Sequence, residues 1–218
     1  MLLRLLNAQS CKRASVNAVF TSGRVARAAG ILRGNSTLSK RPLDDLHYHL
    51  MNAPSDLQHW TKSVFAVSYL SDPPVKLENS KTILGIIPAL EEEEAGLNDF
   101  KENAKFIDLM HETVQAALVD GVDDVIQAEA LQRGSGWLHI HASWPLDERN
   151  VPALGRIGDP DDILGSVRVE DGKILPETYQ RMPSYRLFTA DGPPKLSAGL
   201  AKRLEEALLR QQKEENEA

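Results

Sequence analysis

Eight cations and not one acid occupy the first 43 residues, and this asymmetry decides which part of the chain can build a folded domain. Arg4, Lys12, Arg13, Arg24, Arg27, Arg33, Lys40 and Arg41 all precede the first acid, Asp44. Residues 44–218 therefore carry 17 of the 25 basic residues and all 31 acidic ones, a formal charge of −14 that the overall −6 conceals. Like charges without counterions repel one another and leave residues 1–43 little reason to collapse.

Arginine interleaved with serine, alanine and leucine, without acids, is the composition of an organellar transit peptide. A cationic segment is drawn to anionic lipid and is driven inward by a membrane potential worth about 2.3 kcal/mol per charge per 100 mV. A secretory signal would need an apolar stretch of roughly 7 to 15 residues, but Arg4 interrupts the leucines of Leu2–Leu6. The expected location is the mitochondrial matrix, with residues 1–43 removed. Arg33-Gly34 and Arg41-Pro42-Leu43 both resemble arginine-guided processing sites, which places the cut between residues 33 and 44. The other reading of this segment is a disordered basic arm for nucleic acid or an acidic partner.

Cys11 is the only cysteine and lies inside the leader. A processed chain would hold none, which excludes disulfides, cysteine-ligated zinc, iron–sulfur clusters and thiol nucleophiles. The longest apolar stretch, Ile83–Leu90, falls far short of the roughly 20 residues that span a bilayer, so no integral membrane association is expected. The charge of −14 opposes broad nucleic-acid binding, which depends on cationic surfaces.

The apolar pattern after residue 43 predicts a mixture of helices and strands. Asp44–Leu50 reads as a short helix, with acids at its start and Leu46 and Leu50 one turn apart. Ser63–Leu70 and Thr82–Ile87 read as strands, the second continuous enough in apolar character to be buried on both faces. Phe100, Ala104, Ile107, Met110 or His111, Val114 and Ala117 or Leu118 recur at steps of three and four, which predicts a helix broken at Asp120-Gly121. A second helix follows, to Gly134. Trp137–His141 alternates as a strand, Ile163–Val169 alternates again, and Asp171-Gly172 marks a hairpin with a returning strand from Lys173. Tyr185–Thr189 reads as a further strand. Leu196, Leu200, Leu204 and Leu208 mark a final helix, with a polar tail at 211–218. Helices and hairpin strands are segregated, which predicts an α+β fold over residues 44–210: a mainly antiparallel sheet packed on one face by two central helices and a C-terminal helix.

His139 and His141 are the sharpest chemical pair. At i and i+2 on a strand two imidazoles share a face, close enough to hold one metal ion. The His-x-His pair, with six residues between Glu148 and Gly155, is similar to part of the cupin metal motif. The histidine-to-glutamate gap departs from that motif and no histidine follows His141, so the cupin reading is rejected. A site completed from elsewhere would draw on His47, His49, His59, His111, Asp159, Asp161 or Asp162. Between Ala142 and Asp162 no periodicity is visible, and such a long proline-punctuated loop is a candidate site in its own right. Its Arg149 and Arg156 could bind a phosphate or carboxylate of an anionic substrate through their guanidinium forks. The run Glu91–Glu94 suits the positive end of the helix that follows. No phosphate loop, dinucleotide-binding glycine pattern, His-Glu-x-x-His or Gly-x-Ser-x-Gly occurs.

These features lead to two expectations. The first is a non-enzymatic, acidic matrix protein that binds a protein partner, as in assembly of a larger complex. The second is a small enzyme, metal-dependent or not, that uses His139 and His141 with Arg149 or Arg156 on an anionic small molecule. No cofactor is indicated by any motif.

Overall fold

The computed structural model describes residues 43, 45–55, 57–58, 61–89, 97–142, 160–189 and 192–217. Nearly all of the basic segment 1–43, the Glu91–Glu94 run and most of the long loop, Arg149 and Arg156 included, lie outside the described residues. The chain runs through β1 (His47–Asn52), β2 (Ser63–Ser68), β3 (Ile83–Pro88), β4 (Lys101–Glu102), α1 (Ala104–Asp120), α2 (Asp124–Arg133), β5 (Gly136–His141), β6 (Ile163–Glu170), β7 (Lys173–Arg181) and α3 (Ala198–Glu217).

The fold is α+β, and among the described residues all strand pairs are antiparallel. The strands form two sheets, β1-β2-β3-β4 and β5-β6-β7. One apolar cluster joins them: Val67 and Leu84 from the first sheet, Leu138, Val167 and Val169 from the second, and Phe106, Met110, Leu204 and Leu208 from α1 and α3.

Helix α1 is amphipathic: Lys105, Asp108, Glu112, Gln115 and Val119 are exposed along one face, and the apolar face opposite turns to the core. Phe106, Met110, Val114, Ala117 and Leu118 are buried, together with His111 and Thr113, and the helix packs on α3, β7 and β3. Its start is fixed by Asn103, whose side chain accepts from Lys105 N and donates to the carbonyls of Ser80 and Ile83 at 2.9 and 2.8 Å. Its end is fixed by Gly121, left-handed at φ 62°, whose N–H reaches Ala117 O, the conformation that favours glycine after a helix.

Two residues later Asp123 ties three segments together. Its Oδ1 accepts from Val125 N and Ile126 N at 3.1 Å, capping α2. Its Oδ2 accepts from Ser197 Oγ at 2.6 Å and Leu200 N at 3.1 Å, at the start of α3. The side chain is buried, so each of these donors would lack water as a substitute. Gly199 permits the approach: a Cβ there would lie 2.6 Å from Asp123 Oδ2 and 2.7 Å from Val122 O.

Several elements differ from the pattern read along the chain. The stretch expected as a helix at 44–50 is strand β1, paired residue for residue with β2 from His47↔Ser68 to Asn52↔Ser63. A helix of about two turns is marginal without packing, and a neighbouring strand satisfies the same backbone groups. Pro88 ends β3 from inside it. Tyr185–Thr189 forms no ladder; it is an irregular strap between the two sheets. Leu187 N donates to Glu102 Oε1 at 2.8 Å, Arg186 N to Asp161 O at 3.1 Å, and Phe188 packs its ring 4.4 Å from that of Phe100. The polar residues 211–217 continue α3, held by Glu215, which accepts from Lys81 N at 2.7 Å, and by Gln212, which donates to Asp72 O at 3.4 Å. The hairpin at Asp171-Gly172 forms as expected, with positive φ at both positions, 48° and 75°, as a type I′ turn requires.

Replacing Asp123 with Ala removes an acceptor from four donors and is expected to cost about 3 kcal/mol in denaturant unfolding. Alanine at Gly199 is expected to destabilise by about 1–3 kcal/mol through overpacking, although alanine usually strengthens a helix. The double variant should lose less than the sum, because both changes break one contact. A stabilised Gly199→Ala protein would show that the close approach is not real.

Candidate functional site

The two histidines singled out on β5 sit side by side and half-buried on the second sheet. His139 shares a 2.7 Å hydrogen bond through Nδ1 with Ser166 Oγ, its cross-strand neighbour on β6. His141 does not continue the regular register. Ile140 pairs with Gly165 but His141 with Ile163, so Leu164 is an extra residue on β6. The bulge turns the second ring, and the imidazoles meet edge to face with centroids 6.4 Å apart. Burial lowers the pKa of His141, opposed by the nearby carboxylates of Glu129 and Asp162 and reinforced by His139 and Arg133.

Asp162, one of the carboxylates expected to complete a site, is thus close enough to act on His141. Asp161 lies beside Asp162 in the turn Pro160–Asp162, and the other candidates are placed away from the pair or lie outside the described residues. His47 and His49 stack on each other in β1, and His49 Nε2 bonds Leu70 O at 3.1 Å. His111 is buried under β7. His59, Asp159, Arg149 and Arg156 lie outside the described residues. Among the described residues no group of three His, Cys, Asp or Glu is placed to hold a metal ion. The pair alone offers two imidazole nitrogens, one ring already oriented by a serine, an arrangement that suits a ligating histidine as well as a structural one.

A second polar centre was not anticipated. His111 of α1 is 3% exposed and shares a 2.8 Å hydrogen bond through Nδ1 with Tyr179 Oη. Its ring also stands edge-on to Tyr185, centroids 6.2 Å apart. Tyr179 reaches it through a wide bulge in β7: between the pairs Ser166↔Gln180 and Arg168↔Leu175, β6 has only Val167 where β7 has Pro176 to Tyr179. Pro176 has no N–H to give a ladder, and Thr178 Oγ1 fills the gap, accepting from Arg168 N at 2.9 Å and donating to Leu175 O at 2.6 Å. The displaced Tyr179 ring covers Gly165, where any Cβ would come within 2.7 Å of it. Pro176 inside a strand pattern was the available signal for this bulge. Burial raises the pKa of Tyr179 and of Tyr185. Burial, with the Arg181 guanidinium, lowers that of His111 to about 4 against the opposing charge of Asp108. At neutral pH the His111–Tyr179 pair is neutral, a property that suits a core contact better than acid–base exchange.

The third feature is an apolar surface at β1, the terminal strand of its sheet. Leu50 is 65% exposed, and its cross-strand partner Phe65 is 36% exposed. Beside them runs a groove of about 770 Å³, lined by Leu50, Met51 and Asn52 together with Pro73, Pro74 and Leu77 of the β2–β3 connection, with the charged Lys76 and Glu78 of the same connection on its wall. Val75 of that connection is 57% exposed.

The described chain is thus an antiparallel α+β protein in which His49, His111 and His139 are hydrogen-bonded within the fold and β1 is paired on one side by β2. Compared with protein-family models, curated proteins and solved structures, it has no match.

The pH dependence of stability provides a test of the His111 contact. A histidine with a folded pKa near 4 and an unfolded one near 6.5 favours the fold when neutral. Its contribution is complete above about pH 6.5 and is lost as pH falls through 4. Between those values urea unfolding should show wild type losing up to about 2 kcal/mol more than His111→Gln. Parallel pH profiles for the two proteins would refute the assignment.

Proposed function

We propose that the chain acts in the mitochondrial matrix as a non-enzymatic protein-binding factor that receives an extended segment of its partner along the outer edge of β1. The observation that carries this reading is the character of that edge. A strand at the side of a sheet leaves a row of backbone N–H and C=O groups unpaired, and proteins usually guard it with charge, proline or a bulge. Strand β1, His-Tyr-His-Leu-Met-Asn, has no charged residue of the Lys, Arg, Asp or Glu kind, no proline and an unbroken register with β2. Among the described residues no strand pairs with its outer side.

An extended backbone is the shape that satisfies such a row, and alternate side chains of the added strand would be available to the adjoining groove. The charge of −14 over residues 44–218 favours a basic partner by steering the encounter. The matrix location is supported by the acid-free basic leader. Among the described residues no helix is long and apolar enough to cross a membrane.

Placing a charge on the edge provides the test. Leu50→Lys alters a side chain already in solvent, so its melting temperature should match wild type, with stability within about 0.5 kcal/mol. Partner recovered with the tagged protein from matrix extract should fall at least tenfold. Equal recovery by both proteins, or recovery of no partner at all, would reject the reading. Sedimentation of the purified chain distinguishes a heterologous partner from edge-to-edge pairing of two copies. The competing expectation, an enzyme built on His139 and His141, would gain from stoichiometric uptake of a divalent metal that His139→Ala abolishes.

A further inference from the structure

We infer that the leader is cleaved N-terminal to Leu43, so that Leu43 stays with the mature chain as a half-buried residue packed against its core. The inference rests on the import reading above and adds to it a boundary that composition cannot supply. By charge alone, Leu43 is the last residue of the acid-free segment, and a cut on either side of it is equally acceptable. By structure it belongs to the folded domain. Leu43 and Leu46 are both half-buried and packed on the cluster that joins the two sheets.

The backbone gives a second indication. Leu43 has φ 64°, a left-handed conformation that a bulky L residue avoids at a cost of about 1–2 kcal/mol. Such a conformation persists where surrounding contacts impose it. A leucine belonging only to a discarded leader would have no such contacts to hold it. Both arginine-guided candidates, Arg33-Gly34 and Arg41-Pro42, lie upstream and leave Leu43 in place. The reaction is hydrolysis of one peptide bond by an endopeptidase that reads arginine near the scissile bond. Water supplies hydroxyl to the carbonyl carbon and hydrogen to the nitrogen, giving a released carboxylate and a new α-amine.

Two measurements test the boundary. Intact mass and N-terminal sequencing of the protein isolated from the organelle should find a first residue between Gly34 and Leu43. In the full chain, Leu43→Ala should lower the melting temperature by at least about 2 °C. A processed chain that starts at Asp44 or later would overturn the boundary while leaving the import reading intact. An unchanged melting temperature in Leu43→Ala would also overturn it, by removing its physical basis. An organelle protein still beginning at Met1 would overturn the import reading itself, and the processing step with it.

Discussion

The junction at Asp123 sets the arrangement of all three helices. A single buried carboxylate accepts from the first turns of α2 and α3, two residues beyond the glycine that ends α1. Each helix start carries unsatisfied N–H groups and a partial positive charge, so two starts converging on one anion favour a single geometry. Gly199 allows the distance, and Ser197 supplies a further donor. With α2 and α3 fixed relative to α1, the buried leucines of α3 meet α1 in one register, and the cluster shared by both sheets can close.

The polar groups inside this frame serve its closure. Thr178 replaces a missing ladder bond, Glu102 receives the strap at Leu187, Tyr69 donates to Pro194 O at 3.1 Å, and Tyr179 meets His111. These contacts connect α1, the second sheet and the strap that crosses to the first sheet. Of the two histidine centres, one is neutral and buried against Tyr179, and the other is half-buried, with His139 oriented by Ser166. The apolar surface without such engagement lies at the far side of the first sheet, on β1 and the β2–β3 connection. Two buried hydroxyls, those of Tyr48 and Tyr185, stand outside this pattern, with no hydrogen-bond partner among the described residues.

The elements legible along the chain were those with a strong local signature. Helices α1 and α2 had apolar steps of three and four with a glycine after each; the β6–β7 hairpin had Asp171-Gly172; α3 had leucines one turn apart. Strand β1 was misread because Leu46 and Leu50 mimic a helical turn, and only the presence of β2 makes the extended form better. Tyr185–Thr189 has strand-forming residues, yet its backbone groups find Glu102 and Asp161 instead of a neighbouring strand. His139 and His141 were recognised as a pair, but the bulge at Leu164 that sets their angle arises from pairing with β6. Tyr179 and His111 stand 68 residues apart, and no local rule brings them together.

The sequence by itself determined the charge division between a basic first 43 residues and an acidic remainder, the α+β class, and the helices and hairpin whose periodicity and turn chemistry are local. It did so because those properties depend on neighbours within a few residues. Tertiary structure decided the division of the strands into two sheets, the double cap at Asp123, the burial of His111, the place of β1 at the end of its sheet and the packing of Leu43 against the core. Each of these depends on which distant backbone or side-chain group arrives to satisfy a donor, fill a gap or leave an edge uncovered, and that is settled only when the whole chain packs.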